Sequence, residues 1–182
     1  MRRFLAIASF LAAAASAAVS IAGPAIFPAL EAAAPQRERD FLTIIGNARD
    51  DLNGAGTVGK RADVRMGMQV KLANFIQVSD QAKDWVAVVK EHGRTREGDA
   101  WITLEIGPNV TVRTVRSLSD DPEHVTLVRA FSPVAERLKK IEIGQKVAFS
   151  GTLVRYLITS DEDMIERPQI FAHFTDIKPL GN

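Results

Sequence analysis

A chain of 182 residues, 46% hydrophobic and 25% charged, has room for one domain of ordinary globular composition. Its 23 basic and 22 acidic side chains nearly cancel, which argues against a dedicated polyanion binder, because phosphate neutralisation needs a clear basic excess. The absence of cysteine excludes disulfides, thiolate zinc sites, iron–sulfur clusters and thiol nucleophiles together.

Arg2 and Arg3 precede a run from Phe4 to Leu30 that carries no charge. Positive charge ahead of an apolar stretch is what a secretory signal requires, and Ala15-Ser16-Ala17 offers the small residues that signal peptidase accepts. Residues 1–22 are therefore expected to be a signal peptide, with Ala18 or Val19 opening the mature chain. Uncleaved, residues 4–22 are about long enough to cross a ~30 Å hydrocarbon core and would serve as an inner-membrane anchor. Either way the domain is expected outside the cytoplasm, periplasmic or secreted. Residues 23–36, with Pro24, Pro28 and Pro35, read as a linker.

Residues 37–80 read as a helical preface. Phe41, Ile44, Ile45, Ala48 and Leu52 recur at three- and four-residue steps, predicting a helix over 36–52 that Asn53-Gly54-Ala55-Gly56 ends. A second stripe of Val64, Met68, Leu72, Phe75 and Ile76 predicts a helix over 60–76.

From Asp84 onward the period changes to 2. Residues 85–89 predict a short apolar strand. Ile102, Leu104 and Ile106 alternate with polar neighbours, and Gly107-Pro108-Asn109 turns the chain into a second alternating run over 110–113, a hairpin. A polar loop over 117–124 and an apolar run over 125–131 follow. Ser132 and Pro133 then open a helix to about Lys140, with Glu136 placed for a capping-box contact. Strands over 146–157 and 169–178 flank an acidic loop over 161–166. Three strands, a helix and two strands are the order of a five-stranded OB-like Greek-key barrel with its helix between strands 3 and 4, and Gly151 suits a barrel corner. The expected fold class is thus mainly β, α+β, with residues 81–182 as the barrel domain.

Asp84-Trp85-Val86-Ala87-Val88-Val89, the hairpin over 100–112 and Ile143-Gly144-Gln145-Lys146-Val147-Ala148-Phe149-Ser150-Gly151-Thr152-Leu153 together resemble exported bacterial OB-fold proteins. Their domain is similar to the tRNA-anticodon-binding-like OB domain. The resemblance covers residues 84–178 and implies a fold more than an activity; it implies no tRNA binding, because an exported protein would not meet tRNA.

No catalytic constellation stands out. His92, His124 and His173 lack ligand spacing, the acidic loops lack the glycine-turned frame of a calcium loop, and no Gly-x-Ser-x-Gly occurs. Asn53 to Lys60 lacks the glycine spacing of a phosphate loop and follows a helix, so it reads as a helix end. OB barrels bind across strands 2 and 3 with aromatic platforms and basic residues, for which Trp101, Arg113, Arg116, Arg129, Arg155, Tyr156 and His173 are the candidates. The expectation is a non-enzymatic binding module, without cofactor or metal, for a protein or small-molecule ligand of the cell envelope. The alternative is a binder of single-stranded nucleic acid or oligosaccharide through the strand 2–3 face. A hydrolase with an active site outside the known motifs is a third reading.

Overall fold

The computed structural model describes residues 26–114, 126–157 and 163–181. Three helices come first: α1 (Ile26–Ala33), α2 (Gln36–Gly54) and α3 (Val58–Val78). The stretch expected as a linker thus contains a helix. Leu30 in α1 and Ala34 just beyond it are buried against Val86 and Val88 on the outside of the barrel, with Phe27 and Leu180 beside them. Pro28 is tolerated because it sits in the first turn, where its missing N–H has no helical acceptor.

The stripes on α2 and α3 face the core as their spacing predicts. Phe41, Ile45, Ala48 and Leu52 are buried from α2, and Met68 and Leu72 from α3. The segment between them is a tight helix–helix turn, in which Thr57 caps α3 by accepting from the Lys60 N–H at 3.3 Å. Arg37 then locks the helix pair to the barrel. Its guanidinium lies 4.0 Å from the Phe75 ring centre and donates to the carbonyls of Phe75, Ser79 and Gln81, where α3 ends and the first strand starts.

The strands are β1 (Gln81–Arg94), β2 (Ala100–Gly107), β3 (Val110–Arg113), β4 (Lys146–Leu157) and β5 (Gln169–Pro179), with α4 (Pro133–Leu138) between β3 and β4 and α5 (Asp163–Glu166) before β5. They close into a barrel in the order β1-β2-β3-β5-β4, all neighbours antiparallel except β3 with β5. The fold is the expected OB-like barrel. β1 is far longer than its apolar run suggests. It turns past two register shifts, one at Asp84 with φ 52°, so that its first half pairs with β4 and its second with β2. Lys83, Asp84 and Lys90 occupy outward positions there, which is why the hydrophobic pattern alone understates the strand.

Trp85, Ala87, Val89, Ile102, Leu104, Ile106, Val112, Phe149 and Leu153 fill the interior. α4 lies where β2 begins, tied there by the Arg94 side chain donating to the Ala135 carbonyl. α2 lies where β2 ends, with Leu42 against Gly107. The two helical elements therefore close opposite ends of the barrel. Ser132 caps α4 as expected, but it accepts from Ala135 N–H, and Glu136 is one residue too late for a capping box; its carboxylate instead takes Lys139. Among the described residues no helix is long and apolar enough to cross a membrane.

Candidate binding face of the barrel

Alternation on β2 that sends Ile102, Leu104 and Ile106 inward sends Trp101, Thr103 and Glu105 outward. Register then builds a row across the sheet: Glu91 on β1 opposite Thr103, Thr103 opposite Arg113 on β3, and Arg113 opposite Phe171 on β5. The row is bonded within itself. Thr103 Oγ1 donates to Glu91 Oε1 at 3.3 Å, and Arg113 Nη1 donates to Gln169 Oε1 at 3.1 Å with its guanidinium 5.8 Å from the Phe171 ring centre. Beside it, Lys90 Nζ and Glu105 Oε2 pair at 2.9 Å, and Glu105 Oε1 accepts the Asn109 N–H at the tip of the β2–β3 turn.

Trp101 lies one step along the same face. Its indole rests on Gly93, its partner on β1, so closely that a Cβ at Gly93 would stand 2.6 Å from Trp101 Cζ2. A cross-strand glycine of this kind lets a large ring lie flat on the sheet. The ring is half-buried, with its orientation fixed by the strand beneath it. His173, two residues after Phe171 on β5, is exposed on the side of the sheet that Phe171 occupies.

Of the residues singled out in the sequence, the structure thus brings Trp101, Arg113 and His173 onto one face. Arg129 is exposed one residue past the Ala100–Val128 bridge, at the end of the face where β2 begins. The β4 backbone sets Arg155 opposite Phe171 and Tyr156 opposite Ile170. Arg116 and His124 lie outside the described residues. Glu91, Thr103, Glu105, Gln169 and Phe171 were missed, although the alternation that singles out Trp101 also carries Thr103 and Glu105. A cleft of about 260 Å³ between His92, Gly93, Arg94 and, at the end of α4, Leu138 and the following Lys139 adjoins the Trp101 end of the face. Among the described residues no three His, Asp or Glu side chains converge as a metal site would need.

The architecture is that of a small OB-like barrel with a polar outer face and an aromatic ring laid on it. Comparisons with protein-family models, curated proteins and solved structures find no match for the chain.

Proposed function

We propose that this protein is an exported, non-enzymatic binding module that takes a polar, uncharged ligand of the cell envelope on the outer face of β2, β3 and β5, with an oligosaccharide as the ligand class. The observation that carries this reading is the Trp101 ring, held flat by Gly93 on the face that also presents Arg113 and His173. A flat aromatic surface flanked by side chains that donate and accept hydrogen bonds matches a sugar ring, apolar on its face and polar at its rim. Glu91 and Glu105 share this face with the cations, and Lys90 pairs with Glu105. These carboxylates disfavour a phosphate backbone, so single-stranded nucleic acid is the weaker reading. The N-terminal apolar run is the basis for the envelope location.

The chain has two tryptophans, and only Trp101 is on the surface, so a ligand-dependent change in emission that Trp101→Ala removes reports on this face. Titration with neutral oligosaccharides is expected to shift the emission saturably, with little change on raising the salt, and Trp101→Ala is expected to abolish the response. Binding only of a single-stranded oligonucleotide, with a steep salt slope, would transfer the face to the nucleic-acid reading. No response to either would remove the face as a ligand site.

A further inference from the structure

A second concavity lies away from this face, where α1 and α2 meet the β2–β3 turn. It measures about 290 Å³, near the small end of the range for ligand pockets. Leu42, Ile45, Ile106 and Val110 give it an apolar floor, and Phe27 of α1 closes one side. On α2, Arg39, Leu42, Gly46 and Arg49 follow at three- and four-residue steps, so one helix face supplies a cation at each end and apolar surface between. The two arginines are ten residues apart, about 15 Å along the helix.

Gly46 marks the middle. A glycine inside a helix costs on the order of 1 kcal/mol relative to alanine. No packing among the described residues requires it, because a Cβ there would meet nothing within 4 Å. It leaves the cleft open.

The arginines are held mainly by neutral acceptors. Arg49 donates from Nε to the Ile165 carbonyl at 3.0 Å and from Nη2 to the Glu166 carbonyl at 2.9 Å. Arg39 donates to the Ala34 carbonyl and to Gln36 Oε1. Neither forms an ion pair among the described residues. Burial lowers the Arg49 pKa, with the Glu166 charge acting the other way, so this cation is poorly solvated. The one carboxylate in the lining, Glu31, is exposed on α1.

The geometry points to this cleft as a site for an amphipathic monoanion, an acyl chain ending in a carboxylate. The chain lies over Gly46 on the Leu42, Ile45, Ile106 and Val110 floor, and the carboxylate meets the guanidinium of Arg49. Five donors on a guanidinium leave enough for a ligand after two carbonyls are served, and the carbonyls hold the group in place beforehand. The cleft and the barrel face share no residue, so the failure of either assignment leaves the other standing.

Dodecanoate below its micelle concentration, titrated calorimetrically into the full chain, tests this. One saturable site is expected, with dodecanol, the same chain without charge, at least tenfold weaker. Gly46→Leu fills the cleft and is expected to abolish the binding while circular dichroism shows the fold retained. If Gly46→Leu unfolds, Gly46→Ala decides: it favours the helix, its methyl enters open space, and affinity is expected to fall severalfold. Absence of saturable binding, equal affinity for dodecanol, or undiminished binding by the folded Gly46 variant would each overturn the assignment.

Discussion

Glu38 is the most consequential single side chain outside the two concavities. It is fully buried where α2 meets β1, its Oε2 accepts the Val86 N–H at 2.8 Å, and its Oε1 has no partner among the described residues. Burial pushes its carboxyl up to about 8, against the opposing effects of the Val86 hydrogen bond and the Arg39 charge. The unfolded chain releases this proton near 4.5, while the folded chain keeps it to about 8. Folding therefore takes up a proton between those values, and stability falls as pH rises through that window. Below it the full contribution is present; above it the loss is complete. With a pKa unit near 1.4 kcal/mol, the loss is on the order of a few kcal/mol. Denaturant midpoints measured from pH 4 to pH 9 are expected to fall with rising pH in the native protein. Glu38→Gln, neutral throughout and still able to accept from Val86, is expected to flatten that dependence and to be the more stable of the two at pH 9. An unchanged slope would mean that Glu38 is ionised in the folded state.

At the scale of elements, periodicity was a good guide wherever one face of an element meets the core. The α2 and α3 stripes, the β2–β3 hairpin and the helix between β3 and β4 were legible for that reason. It failed for α1, whose alanines and Pro28 gave no stripe, because Leu30 and Ala34 pack as a small patch on the outside of β1 rather than in the main core. It also failed on the outer face. Thr103 and Glu105 are nearly buried there by neighbours from other strands, which no single strand's pattern reveals. Register is non-local, and so was most of the site. Gly151 is the counter-example, legible as a corner and indispensable as one. β4 shifts register beside it, and a Cβ there would come within 2.4 Å of the His173 carbonyl oxygen on β5. A backbone oxygen in a barrel strand cannot swing aside as a side chain can. Gly151→Ala is expected to destabilise by about 2–4 kcal/mol, measured as a lowered urea midpoint at constant m. A cost within experimental error would show that the two strands can part there freely.

At the scale of the molecule, the helical preface and the barrel share one core. A chain of ring contacts runs from Phe75 on α3 to Phe41 on α2 at 5.4 Å, to Trp85 on β1 at 5.3 Å, to Phe149 on β4 at 6.1 Å and to Phe174 on β5 at 5.5 Å between centroids. Each tilted or edge-on pair adds roughly 0.5–1.5 kcal/mol to the area it buries. Phe41, Ile45, Met68 and Leu72 belong to the same buried cluster as the barrel interior, so the expected boundary at residue 81 divides a continuous core. Removing the preface would open Trp85 and the adjoining barrel interior to water, and would strip the Val86 N–H of its Glu38 acceptor. Two consequences are expected. The chain should unfold in one transition, with Trp85 emission and far-ultraviolet circular dichroism coincident, as for a single cooperative unit. A fragment of residues 81–182 should show red-shifted Trp85 emission and no cooperative thermal transition. Separate transitions, or a cooperatively folding fragment, would mean that the barrel interior closes by itself and that the helices only rest on it.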